Sequence, residues 1–564
     1  MTNNWIDLQN AKILLVEGSN IAENHPMAFK WIRKAQANGA KIIHVDPRFT
    51  RTSEAADVYA RIRPGTDAAF VNSMINHILA NKLYDEDFVV THTNALFLLH
   101  PDFDFKDGLF SGYDAEKRSY DTKTWGYQVD AKGMPRVAAS LDDPNCVFAR
   151  LKTFVSRYTL ETGERISGIP AAQIREIAET MANNRPATVI YALGLAQHTT
   201  AVQNIRCLAI LQLLLGNLGK PGSGVNALRG EPNVQGACDV GVLNDYLPGY
   251  LPYPLATEPT LDDWTRKNGT SDRRFLINIL KAFFGDTATP ENDFCYGWLP
   301  KKGTADYGAI SIAENALSGM LKMLWIVGQN PVVTSPNLSL VFAGLDKLET
   351  IVIEEIWETE TAMFWKRPGA DPSSIQTEVF LLPAAFFMEK NGTITNSGGL
   401  IQWRNAAVKP PGNALPDGEI VDAIFRRVRD LVHESREPRD EAIKKAAWTY
   451  LSAEDVLKEM NGFALKDLQD AKLKAGDLVT KVADLKADGS TSAGSWLHAG
   501  IFAGGKNLTK RLDSTDPGGL GIYPNFAWTW PNNMRVLYNR ASCDRNGKPY
   551  PGTKPIVWWD EKAG

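Results

Sequence analysis

Short apolar runs separated by helical periods dominate the first half of the chain. Ala11–Val16 is apolar throughout and too short for a helix, which predicts a buried strand. Gly18-Ser19-Asn20 ends it. Asn24–Asn38 then places Met27, Phe29, Trp31, Ile32 and Ala35 at helical spacing, and Gly39 stops the helix. Lys41–Val45 is a second strand, closed by Asp46-Pro47-Arg48. These elements make a βαβ unit. A third strand, Tyr59–Arg63, runs into Pro64-Gly65-Thr66-Asp67 and another helix. Pro186–Leu193 is a further buried strand ending in Gly194-Leu195-Ala196-Gln197-His198-Thr199, followed by a helix through Leu215.

The arrangement then returns. Leu321–Val327 predicts a strand, Gly328-Gln329-Asn330-Pro331 a turn, and Thr350–Glu354 the next strand, with Glu355 after it. Glu378–Leu382 is a third strand running into Pro383. Asp46 lies 26 positions after Asn20, and Glu355 lies 25 after Asn330. Each acid is followed by threonines at +4 and +6: Thr50 and Thr52, then Thr359 and Thr361. Residue type, spacing and order all repeat, so the fold class is α/β with two pseudo-repeated parallel-sheet, Rossmann-like domains.

Other stretches are less regular. Residues 101–145 read as an insertion of surface loops, and 242–310, rich in proline, aromatics and glycine, as loop-rich covering structure. Residues 226–241 show no apolar period, so neither core helix nor strand is expected there. Glu389–Ser397 predicts a hairpin. Asp417–His433 predicts an amphipathic helix with Ile420, Ile424, Val428 and Leu431 on one stripe. Beyond residue 434 the chain is first charge-dense, then mixed, then aromatic, with Trp528, Trp530, Trp558 and Trp559 in a loop-rich tail that should be buried against something. The expected domains are 1–231, 232–433 and 434–564.

Composition narrows the function. The net charge of −4 comes with no long basic block, which argues against nucleic acid as a partner. No apolar run is long enough to span a bilayer, and the N-terminus has no signal-peptide pattern. The five cysteines are dispersed without a Cys-x-x-Cys pair, so neither a zinc ribbon nor an iron–sulfur ligand set is visible, and no metal ligand is assigned in this chain.

The candidate chemistry sits at strand ends. In open parallel sheets ligands bind beyond the carboxyl ends of the strands. A Gly-x-Asn turn before a helix presents backbone N–H groups to an anion. An acid closing the next strand can accept from ribose hydroxyls or guanine N–H groups. Each half therefore suits one nucleotide-like group, although one such turn alone is also an ordinary βα loop. His198, just past a strand, could donate to a ligand or serve a structural bond. Arg229, with Gly224, Gly230 and Gly236 close by, could hold a small carboxylate in its planar fork or be a solvated surface arginine.

Taken together, several motifs resemble the molybdopterin oxidoreductase (dimethyl-sulfoxide-reductase) family. They are Gly18-Ser19-Asn20 with His25-Pro26, the Asp46–Thr52 segment, Arg63–Asp67, Gly216-Asn217-Leu218-Gly219, Gly328–Pro331 and Glu389–Ser397. Arg229-Gly230 followed by Asn233-Val234-Gln235-Gly236 is similar to the formate dehydrogenase α subunits of that family, nearest the respiratory, membrane-associated type.

The resemblance implies a bis(molybdopterin guanine dinucleotide) cofactor carrying molybdenum or tungsten. Gly18, Ser19, Asn20, Asp46, Arg48, Thr50, Gly65 and Asp67 match positions for one dinucleotide, and Gly328, Gln329, Asn330, Pro331 and Glu355 those for the other. Gly194, Gln197 and His198 match residues near the pterin, with His198 counted as catalytic. Arg229 matches the arginine that holds the formate carboxylate. The family also has an N-terminal iron–sulfur domain holding a [4Fe-4S] cluster, a metal-bound selenocysteine or cysteine followed by histidine, and a C-terminal barrel. None has a counterpart in residues 1–564. The expectation is the central part of a larger subunit, inactive alone, partnered by an iron–sulfur (β) subunit and a membrane cytochrome subunit at a periplasmic membrane face. Two other readings stand beside it: a same-fold oxidoreductase for an oxyanion such as nitrate, and a non-catalytic scaffold subunit that kept the fold.

Overall fold

The structure is a computed structural model describing residues 1–550 except 107, 244, 304, 305, 451, 512, 520 and 531–539. Trp558 and Trp559 lie outside the described residues. The first sheet contains β1 (Ile13–Glu17), β2 (Lys41–Val45), β3 (Val58–Ala60), β4 (Ala187–Tyr191) and β5 (Gly224–Ala227). Its order is β3-β2-β1-β4-β5, and every pairing is parallel.

Side chains on a strand alternate between faces, and a sheet covered on both sides reads as an unbroken apolar run. Ile13 and Leu15 face one way, packing with Ile43, Val45 and Val189 under α2 (Asp67–Ala80) and α3 (Ala201–Leu214). Leu14 and Val16 face the other way, packing with Ile42 and Ile190 under α1 (Pro26–Ala37), which contributes Ala28, Ile32 and Ala35. Each fully buried side chain of this kind stabilises by about 1.5–3 kcal/mol relative to exposure.

The chain leaves β1 outward to β2 and β3 and returns on the other side to β4. The carboxyl ends of β1 and β4 therefore form the switch point where such sheets place ligands. Gly18 ends β1 with φ +60°, and a Cβ there would meet Leu195 N at 2.6 Å. Gly194 N donates to Gly18 O at 3.1 Å. The two glycines let the backbones touch where any side chain would hold them apart.

The second sheet is β6 (Met323–Val327), β7 (Thr350–Glu355) and β8 (Glu378–Pro383), again parallel and in chain order. Ile326, Ile351 and Ile353 are buried with Val341, Leu345 and Phe364. Met323, Trp325, Val327, Phe380 and Leu381 remain exposed. Apart from β5, every strand of both sheets lies where the apolar runs predict it, within a few residues at each end.

The expected hairpin forms as β9 (Gly392–Thr395) and β10 (Leu400–Arg404), and β11 (Ala527–Trp528) joins it antiparallel. Trp528 is buried there, as an aromatic tail requires.

Three expectations change. Residues 226–241 are not irregular: β5 takes the first two, and a short helix, α4 (Val234–Asp239), takes six more. Glycines hide both, because β5 is buried edge-on and α4 spans less than two turns. Residues 242–310 are more than cover. The helix α5 (Thr270–Phe284) buries Phe275, Leu276, Ile279 and Leu280 in a core that also contains Leu468, Val479, Leu485 and Leu497-adjacent Ala499 from the far segment. The stripe on α6 (Asp417–Val432) buries only Ile420, and Leu431 is 68% exposed.

Candidate functional site

The repeated turns superpose in their bonding as well as their spacing. Asn20 Oδ1 accepts from Thr52 N at 3.3 Å and Thr52 Oγ1 at 3.0 Å. Asn330 Oδ1 accepts from Thr361 N at 3.1 Å and Thr361 Oγ1 at 2.7 Å. The threonine oxygen in turn accepts from Ala22 N at 3.0 Å and from Val332 N at 3.2 Å. Gly18 and Gly328 share φ values of +60° and +59°. Gly18 N donates to Val45 O, and Gly328 N to Glu354 O. Asn20 and Asn330 are thus locks that tie each βα turn to the loop after the neighbouring strand.

The expected acids close the neighbouring strands. Asp46 Oδ1 accepts from Arg48 N at 2.9 Å, and Glu355 Oε1 from Ile356 N at 2.7 Å. Both are half-buried. Thr50 caps the helix Arg51–Ala55, and Pro331 opens the helix Pro331–Thr334. Arg48, Gln329 and Gln197 are exposed.

At the switch point a second group collects. His198 Nε2 lies 2.9 Å from Gly194 O, and a Cβ on Gly65 would stand 4.0 Å from His198 Nδ1. Asp67 faces Glu17, the last residue of β1. Glu17 is fully buried, and neither of its carboxylate oxygens has a donor among the described residues. Burial first, and the Asp67 charge second, push the Glu17 carboxyl well above its ordinary range. Burial raises Asp67 as well. Both carboxyls are thereby pushed toward their neutral forms. Ser19 Oγ, beside it, is buried without a partner.

Arg229 lies elsewhere, in a cleft of about 590 Å³ lined by Trp5, His25, Trp31, Gln402 and Trp528 among others. Leu228 N donates to Tyr191 O at 2.8 Å and extends the β4–β5 pairing by one residue. Arg229 therefore projects just past a strand end. Its N–H donates to Ser397 Oγ at 3.0 Å, and its carbonyl accepts from His25 Nε2 at 2.6 Å. Burial pushes the His25 pKa down, keeping the ring neutral. The guanidinium donates from Nε to Gln235 Oε1 at 3.2 Å and from Nη1 to Cys238 Sγ at 3.8 Å. Among the described residues, its Nη2 is left without a partner and no ion pair engages Arg229. None of the expected nucleotide-binding residues lines this cleft.

These features match a known group. Residues 1–427 match the description of molybdopterin oxidoreductases. The chain belongs to the molybdopterin oxidoreductase family. It is 42% identical to formate dehydrogenase 2 subunit alpha (cytochrome c-553) of Nitratidesulfovibrio vulgaris over 99% of this chain and 58% of that protein. It is 41% identical to the nitrate-inducible formate dehydrogenase major subunit of Escherichia coli over the same shares. Against formate dehydrogenase subunit alpha of Megalodesulfovibrio gigas it is 40% identical, again covering 99% and 58%. The chain thus spans a little under three-fifths of the length of these relatives.

Family membership implies a molybdopterin cofactor with molybdenum or tungsten. The residues fit such a group. Two matched turns precede helices, two half-buried acids have an oxygen to spare, and no atom lies within 4 Å of a Cβ built on Gly328. Ser19 Oγ and the Glu17 carboxyl are buried polar groups awaiting partners at the switch point. No cluster of three or more His, Cys, Asp or Glu able to hold a metal occurs among the described residues. No described helix is long and apolar enough to cross a membrane.

Sequence reasoning missed the residues that hold Arg229: His25, Ser397, Gln235, Cys238 and, behind them, Asp239, Tyr250 and Thr529. The one local signal was Gln235 and Asp239 at i and i+4 on a helix.

Proposed function

We propose that this chain is the central part of the catalytic α subunit of a molybdenum or tungsten formate dehydrogenase. It would oxidise formate to CO2, with the two electrons leaving through iron–sulfur clusters and one proton released. The observation that carries this reading is Arg229. Its guanidinium is fixed at Nε and Nη1 and, among the described residues, has no ionic partner and leaves Nη2 for a ligand. A small carboxylate is the ligand that geometry suits, and the relatives at 40–42% identity bear formate dehydrogenase names.

The two half-sites would hold the cofactor as two guanine dinucleotides. Asn20, Asp46 and Thr50 serve one, and Asn330 and Glu355 the other, with acids accepting from guanine or ribose and turn N–H groups meeting phosphate. A metal centre bound there would supply the two-electron acceptor for formate oxidation. Arg229 orients the carboxylate so that the formate C–H bond faces inward. The Glu17 and Asp67 carboxyls, both raised by burial, would lie beside the switch point, and His198 would offer a ring nitrogen there. The iron–sulfur ligands, the metal-bound selenocysteine or cysteine, an iron–sulfur partner subunit and a periplasmic membrane-associated setting belong to the same proposal, on the strength of the sequence motifs' resemblance to the family alone.

The test is formate-dependent viologen reduction by the subunit purified with its native partners. Arg229→Lys is expected to lose most activity, because an ammonium cannot keep the Gln235 and Cys238 contacts and still present a fixed donor to the carboxylate. Reduced-viologen oxidation by nitrate without any formate activity would overturn the reading. So would native protein purified without molybdenum or tungsten.

A further inference from the structure

We propose that Asp239 and Tyr250 are positioning residues for Arg229, acting through the side-chain amide of Gln235. This rests on the reading of Arg229 as the carboxylate anchor.

A glutamine amide has one accepting end and one donating end, and only one orientation suits a cation. Gln235 Oε1 faces Arg229 Nε at 3.2 Å. Its Nε2 donates to Asp239 Oδ1 at 2.8 Å and to Tyr250 OH at 3.2 Å. Tyr250 OH donates to the same Asp239 oxygen at 2.8 Å. The other Asp239 oxygen accepts from Thr529 Oγ1 at 2.9 Å. Gln235, Asp239 and Thr529 are all buried. With a carboxylate on one side, the amide nitrogen is pinned there and the oxygen must face the arginine.

Tyr250 completes the clamp. It sits at φ +60°, a conformation costly for a residue with a side chain, and the turn that holds it delivers the phenol to Asp239. Burial raises the phenol pKa, so it stays a donor.

The chemical point lies in what does not touch Arg229. A carboxylate in direct contact would fix the guanidinium but would also occupy the charge meant for substrate. Placing the anion one amide away keeps the orientation and leaves the charge unclaimed. Removing the anion frees the amide to turn its NH2 toward the cation, and putting an anion in its place fills the site.

The experiment compares Asp239→Asn, Tyr250→Phe and Gln235→Glu in the intact enzyme with its partner subunits. It measures formate kcat and KM, and azide binding to the resting protein by calorimetry. Asp239→Asn is expected to raise KM and the azide Kd about tenfold, Tyr250→Phe by less, and Gln235→Glu by more than either, with kcat at saturation changing less than KM. Asp239→Glu should recover part of the loss. Variants with unchanged azide Kd, or with kcat and cofactor content falling while KM holds, would overturn the proposal. If Asp239→Asn fails to fold, Tyr250→Phe decides alone. Should the wild type bind azide yet leave formate unoxidised, the formate reading fails, and a weaker azide Kd in these variants still supports the positioning role.

Discussion

Thr361→Val probes the lock on the second glycine–asparagine turn. The threonine hydroxyl donates to Asn330 Oδ1 at 2.7 Å and accepts from Val332 N at 3.2 Å. Valine keeps the shape and removes both bonds. The Asn330 oxygen retains Thr361 N, so the damage concentrates on the Val332 amide. Thr361 and Val332 are buried. A buried donor left unpaired costs about 1–3 kcal/mol, equivalent to about 5-fold to 150-fold in local opening. The matched change Thr52→Val should cost less, because Ala22 N is only partly buried and water can replace the hydroxyl. Hydrogen exchange read by mass spectrometry on peptides covering Ile21–Asn24 and Pro331–Thr334 measures both. Expected is faster exchange in each variant, larger at Pro331–Thr334, with Thr361→Ser close to wild type. Thr361→Ser exchanging as fast as Thr361→Val would refute the reasoning, since it would place the effect in packing and not in the hydroxyl.

Gly18→Ala should destabilise far more than Gly328→Ala. Both need positive φ, which costs an alanine about 1 kcal/mol, but only at Gly18 does the new Cβ strike backbone; equal melting shifts would count against the close approach of β1 and β4. Trp264→Ala removes a fully buried ring at a cost of about 3–5 kcal/mol, and should raise exchange in residues 464–499 as well as around α5, because both share one core; protection unchanged in 464–499 would contradict that shared core. Glu354, whose carboxyl burial and the Asp417 charge push up from 4.5 to about 7, holds more protons folded than unfolded across that window. Stability it contributes is therefore present below pH 4.5 and lost as pH rises toward 7, and Glu354→Gln should flatten that slope in urea melts taken at several pH values; a slope unchanged in the variant would assign it to other groups.

Much of the fold was legible because its signals are local. The strands of both sheets are runs whose two faces are each covered or half-covered, and the repeat of glycine, asparagine, acid and threonine needs only about thirty residues to declare itself. The hydrogen bonds from Thr52 to Asn20 and from Thr361 to Asn330 are the physical reason for that spacing. The long helix α5 was obscured by flanking glycine and by Asp272, Arg273 and Arg274, whose polarity masks the apolar face that begins at Phe275. Its burial comes from a segment nearly two hundred residues on, which no window reads.

The site divides the same way. Arg229 stands out in sequence because glycines surround it, but its proposed role depends on the uncharged partners that hold its guanidinium. Ser397, Tyr250 and Thr529 approach from hairpin, turn and tail, the last through an Asp239 contact spanning 290 positions. No local pattern announces a tyrosine at positive φ or a threonine behind an aspartate. What the sequence writes locally is the pair of turns that would seat two like groups, and a repeat makes that legible twice. The proposed carboxylate anchor is written once and assembled from three distant segments, so it became readable only when the chain was folded.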